Sequence, residues 1–142
     1  MKSQYLLLAE SILYKNNKLT CINIFDQFVA VHLPAEFVFD LAVICGPGWE
    51  PGIYNVEINV KTNDSDISNI GNIDVTINSD TFVYNAIANN LKIAIGPNVK
   101  NITFVVYKNG ESILERSYPV GSLLVEVDEN QIQQEQPQKQ EK

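Results

Sequence analysis

Nucleophilic catalysis in this chain would have to be built from its single histidine, His32, and its two cysteines, Cys21 and Cys45. A Ser–His or Cys–His pair needs the imidazole within hydrogen-bond reach of the nucleophile, with an acid to orient it. His32 is followed by Leu33-Pro34, as at the end of a strand, and its plainer reading is a surface histidine. Both cysteines lie in apolar runs and read as reduced, buried thiols that pack as small hydrophobes. Two distant cysteines and one histidine do not supply the four ligands of a zinc site. The chain has no glycine-rich phosphate loop and no zinc spacing. No catalytic residue, metal ligand or cofactor is assigned, and the expectation is a protein that is not an enzyme.

The carboxylates are spread as Glu10, Asp26, Glu36, Asp40, Glu50 and Glu57. Glycoside chemistry wants two acids flanking one bond, and most of these sit at polar-face or turn positions. Asp40 is the exception, inside the apolar run Glu36 to Cys45. An inward carboxylate would need a partner and could have a shifted pKa. The expectation is that Asp40 faces solvent or guards a sheet edge. Asn63-Asp64-Ser65-Asp66 carries the hard oxygen ligands calcium prefers, and Asp74 and Asp80 would join it if their loops met. Its spacing does not match the EF-hand loop, and Asx-rich turns arise for local hydrogen-bonding reasons. Trp49 sits between Gly46-Pro47-Gly48 and Glu50-Pro51-Gly52. An exposed indole there would stack on a sugar or anchor a protein, with Glu50 accepting from a hydroxyl. Folded back, it would plug the end of the domain. Trp49 and Glu50 are the candidate binding residues.

The elements that would position these residues are strands. Ile53 to Lys61 alternates Tyr54, Val56, Ile58 and Val60 with Asn55, Glu57, Asn59 and Lys61, the pattern of a half-buried strand. Asn72 to Asn78 repeats it, as do the sets Leu91, Ile93, Ile95 and Ile102, Phe104, Val106. Glu36 to Cys45 is apolar on both faces and reads as a central strand. Tyr5 to Leu13 and Leu19 to Val31 are further strand candidates, although Ser3 to Leu13 would also suit a helix. Asn85 to Leu91 reads as a short helical turn at best. Asn16-Asn17 and Asn109-Gly110 have the left-handed preference of two-residue hairpin turns. Short strands separated by such turns predict an all-β antiparallel sandwich, immunoglobulin-like or C2-like, over residues 1–127. Asp128 to Lys142 is rich in Gln, Glu and Lys and reads as a disordered tail.

At 142 residues the chain suits one domain, and its apolar share of 45% suits a globular one. Ten Lys and Arg against 17 Asp and Glu give a net charge of −7, which argues against nucleic acid. The apolar run Tyr5 to Ala9 stops at Glu10, too short for a signal peptide or membrane span. The expectation is a soluble, cytoplasmic protein without a membrane or nucleic-acid partner. Without a secretory signal, the sequons at Asn63 and Asn101 carry no weight.

Ala9, Leu13, the run Asn17-Lys18-Leu19-Thr20-Cys21-Ile22-Asn23-Ile24-Phe25-Asp26, and Leu33-Pro34 resemble the opening of a bacterial family of uncharacterised β-sandwich proteins. Pro51 to Ile58 resembles its next strand, and the hairpin around Asn109-Gly110 fits its close. Asn17 stands where that family usually has Gly, and it suits the same turn. The resemblance implies a compact sandwich and no catalytic residues. The functional expectation is a non-catalytic binding or assembly module for a protein partner or a second copy. The alternative is a small-ligand or carbohydrate binder using the Trp49 loop.

Overall fold

A computed structural model describes residues 4–63 and 67–123. These residues form an all-β structure: β1 (Gln4–Lys15), β2 (Lys18–Phe25), β3 (Phe28–Ala30), β4 (Ala35–Cys45), β5 (Gly52–Thr62), β6 (Ser68–Ile77), β7 (Tyr84–Ile95), β8 (Asn101–Lys108) and β9 (Glu111–Ser122). A four-stranded sheet, β2-β1-β4-β7, packs on a five-stranded sheet, β3-β9-β8-β5-β6. All pairings are antiparallel except β3 with β9. The expected tail at Asp128 to Lys142, and its boundary after residue 127, lie outside the described residues.

The tight reversals fall where side-chain chemistry demands them. Asn16 and Asn17 adopt φ of 54° and 59°, with Lys15 paired to Lys18. Asn109 and Gly110 adopt 49° and 85°, with Lys108 paired to Glu111. Two successive positive φ values give the type I′ twist that matches the twist of the flanking strands. The β8–β9 turn also clips onto β5, where the Asn109 side chain accepts from the Asn55 N–H at 2.8 Å.

The core lies between the sheets. β4 sends Phe39, Leu41, Val43 and Cys45 inward, against Val56, Ile58, Ile102, Phe104 and Val106 from the facing sheet. Phe28 joins the two layers. Its ring meets Phe25 at 5.3 Å, Phe37 at 5.2 Å and Phe39 at 5.8 Å on one side. On the other it meets Phe104 at 6.2 Å and Tyr118 at 6.0 Å. Aromatic pairs at such spacing add to the stabilisation from burial alone.

Two sequence expectations change, and one open choice between strand and helix is resolved as strand. Leu19 to Val31 is two strands, because a bend at Asp26-Gln27 carries the chain from one sheet to the other and so delivers Phe28 to the core. Ser3 to Leu13 is strand from Gln4 onward, since alternate residues Leu6 and Leu8 are needed in the core. Asn85 to Leu91 is the first half of β7 and not a helical turn; pairing with β4 overrides its weak local preference. Phe28→Ala should destabilise the protein by about 3–5 kcal/mol, the range for a buried Phe truncated to a cavity, measured by denaturant unfolding.

Candidate functional site

A cleft of the protein starts from a departure in β1. That strand pairs with β4 only from Gln4 to Ala9, where Ala9 faces Asp40. Beyond Ala9 the β1–β2 hairpin crosses the outer face of the four-stranded sheet. There Ala9, Ile12 and Ala42 form a second small core with Leu19, Cys21 and Ile87.

Asp40 holds this crossing in place. It is 6% exposed, inside the sheet, and neither faces solvent nor guards an edge as its sequence context suggested. One carboxylate oxygen accepts from the Ile12 N–H at 2.8 Å and from the Asn89 amide at 2.9 Å. The other accepts from the Asn90 N–H at 2.8 Å. Asn90 has a φ of 57°, and the β4–β7 register shifts there, between Phe39 and Leu41. This bulge turns its N–H toward the acid. The Asn89 amide also donates to the Ile12 carbonyl at 3.2 Å, so both backbone groups of Ile12 are satisfied without a neighbouring β4 backbone. Burial pushes the Asp40 carboxyl up, but these three hydrogen bonds outweigh it and hold the group below its ordinary value.

The hairpin tip therefore reaches the start of β7. Tyr14 and Asn17 line a cleft of about 670 Å³ with Asp74, Val75, Thr76, Phe82, Val83, Tyr84 and Asn85. Tyr14 is 51% exposed and Phe82 66%. The loop carrying Phe82 is braced from within. The Tyr84 hydroxyl accepts from the N–H groups of Asn78 and Ser79, both at 3.0 Å. The Gly48 N–H donates to the Asp80 carbonyl at 2.7 Å. Gly46 has a φ of 90°, and a Cβ there would stand 3.1 Å from the Phe82 carbonyl oxygen. Exposed rings on a braced loop need little further ordering to bind. The apolar surface continues along one row of the sheet, where Tyr5 pairs with Ile44 and Ile44 with Asn85.

The residues singled out in the sequence do not converge. Trp49 is 3% exposed, with Tyr54 edge-on at 5.3 Å and the Lys108 ammonium 4.2 Å from its ring centroid. It plugs the end of the domain and offers no open face for a sugar. Glu50 beside it is exposed, and its backbone carbonyl accepts from the Tyr54 hydroxyl at 2.8 Å.

His32 is exposed in the β3–β4 loop. Cys45 lies at the far end of β4, a strand of 11 residues and so about 33 Å long at the usual rise. The buried Cys45 thiol is pushed up to about 12 by loss of solvent. Cys21 is half-buried against the hairpin cluster and not fully buried as expected, and burial raises its thiol too. Both cysteines are free.

Of the candidate calcium loop, Asp64 to Asp66 lie outside the described residues. Asn63 staples two loops, accepting from the N–H groups of Lys100 at 2.8 Å and Asn101 at 3.3 Å. Asp80 sits beyond Ile77, at the opposite end of β6 from Asn63. Among the described residues, no three His, Cys, Asp or Glu side chains gather as metal ligands. No helix among them is long and apolar enough to cross a membrane. Tyr14, Phe82 and Val83 were missed by sequence reasoning; the available signal was an aromatic beside a turn and another directly after the polar run from Asn78 to Thr81.

Asp40→Asn places an amide N–H against donors and should cost about 2–3 kcal/mol, with faster hydrogen exchange at Ile12. Because the folded carboxyl titrates low, its stabilisation is present above the ordinary carboxylate pKa of about 4 and is lost as pH falls through the lowered value. The stability gap between the native protein and Asp40→Asn should therefore narrow on acidification below about pH 4, measured by urea unfolding. Gly46→Ala should destabilise by about 1–2 kcal/mol through its positive φ, and should displace the Phe82 loop, visible as shifted amide resonances over residues 78–83. No protein-family model and no curated protein sequence matches the chain.

Proposed function

We propose that this protein is a non-catalytic binding module that docks another protein through the Tyr14–Phe82 cleft. The observation that carries the reading is the pair of large exposed rings facing one cleft, set on a pinned hairpin and a braced loop. Aromatic anchors at the centre of a patch dominate binding energy in protein interfaces. Val83 and Tyr5, also exposed, widen the apolar area, and Asn17, Asp74 and Asn85 supply polar contacts at its border. We infer further that the two sheets are an immunoglobulin-like sandwich, which fits the resemblance to the bacterial β-sandwich family. The row β1-β4-β7 corresponds to strands A-B-E and the row β9-β8-β5-β6 to G-F-C-C′. Such sandwiches present loops and edges to partners, while the site itself decides function.

The small-ligand alternative moves with the aromatics. With Trp49 buried, a sugar would have to stack on Tyr14 or Phe82, beside the amides of Asn17 and Asn85.

The test is affinity capture with the full chain, comparing the native protein with a Tyr14→Ser, Phe82→Ser double variant whose melting curve is unchanged. A partner retained by the native protein and lost by at least tenfold in the double variant, about 1.4 kcal/mol or more, supports the reading. Partners retained equally by both proteins would contradict it. Binding of a free glycan, with no protein captured, would favour the alternative.

A further inference from the structure

We infer that a second surface, the free edge of β4 over Ala35–Phe39, takes up an extended segment of a partner protein as an added strand. This surface is separate from the Tyr14–Phe82 cleft and does not depend on it. β7 pairs with β4 along its whole length, from Ala35 to Cys45. β1 covers only the other half of β4, from Asp40 to Cys45. Among the described residues no strand occupies the β1 side of Ala35 to Phe39, because β1 has turned off at Asp40. Along this edge, about 16 Å long, the outward N–H and C=O groups of alternate residues meet no strand partner among the described residues.

A groove of about 360 Å³ runs where β1 would have continued. Phe25, Phe28 and Phe37 line it, joined by Ile24, Val29 and Val38. Val38 is 55% exposed and Ile24 60%. A backbone row free to pair, beside apolar room for alternate side chains, is the pattern of strand-addition recognition.

Charge says what fits. Glu10 is the one charged residue lining the groove, and its side chain accepts from the Asn23 amide at 2.8 Å. The next acid along β4, Glu36, is already paired on the β7 side with Lys92 at 3.8 Å. The occupant is thus an extended segment, apolar at alternate positions, with a Lys or Arg placed to meet Glu10. A second copy is disfavoured, because each chain carries a net charge of −7.

The test uses the full chain, isotope-labelled, titrated at low salt with the synthetic peptide Lys-Val-Thr-Val-Thr-Val-Lys and its counterpart with Glu at both ends. The cationic peptide should bind about fivefold tighter, with amide shifts and exchange protection confined to residues 35–39 and their groove neighbours. Glu10→Lys, a change at an exposed position, should remove that preference. Val38→Glu, which fills the groove without touching the core, should weaken both peptides. The Tyr14→Ser, Phe82→Ser variant should bind as the native protein does, which separates this inference from the proposed function. Shifts centred elsewhere, equal binding of both peptides, a charge preference that survives Glu10→Lys, or no shift at millimolar peptide would each overturn it.

Discussion

Ile12 presents its N–H to the Asp40 carboxylate where a continuing strand would present it to a backbone carbonyl, and the course of the N-terminal hairpin follows from that bond. A buried carboxylate is tolerable only when its oxygens are satisfied. Here Ile12, Asn89 and Asn90 do so from β1 and β7, so three strands meet at one side chain. The arrangement is self-consistent. The bulge at Asn90 aims an N–H at the acid, and the acid in turn compensates the pairing lost at the bulge. Ile12, Ala42 and Ile87 then supply the apolar contact that a polar clasp alone would not.

Two surfaces result from this one departure. On one side, the hairpin tip carries Tyr14 across to the β6–β7 loop and faces it toward Phe82. On the other, the path β1 abandons leaves one edge of the first half of β4 without a strand partner among the described residues, beside Phe25, Phe28 and Phe37. A strand that had stayed in register would have covered the β4 edge and left Tyr14 away from Phe82. The hairpin keeps its own outer edge irregular, since Asn23 adopts a φ of 57° within β2. Distortion of that kind discourages edge-to-edge pairing, which leaves β4 as the edge better suited to an added strand.

Features encoded within a few residues were legible in the sequence. The Asn16-Asn17 and Asn109-Gly110 reversals announce themselves because few side chains accept a positive φ. The half-buried alternation of β5 and β6 and the apolar character of β4 likewise follow from period-two patterning. What was not legible depended on partners distant along the chain. Asp40 reads as a solvent-facing acid until Ile12 and Asn89, 28 and 49 residues away, are brought to it. The split of Leu19 to Val31 depends on Phe28 being needed between two sheets, which no local pattern records. Trp49 kept its two readings because a Gly/Pro loop allows either direction; the position of Lys108 and Tyr54 decided it. Phe82 has no periodic context, so its exposure emerges only from the bracing by Tyr84 and Gly46.

The central claim, that one ionised carboxylate clasps β1 and β7 together, is tested most directly by following the amide protons of Ile12 and Asn90 through an acid titration by NMR. Both should begin downfield and move together, with a single midpoint below the ordinary carboxylate value of about 4. Two amides that ignore pH, or that titrate at separate or unperturbed midpoints, would contradict the account.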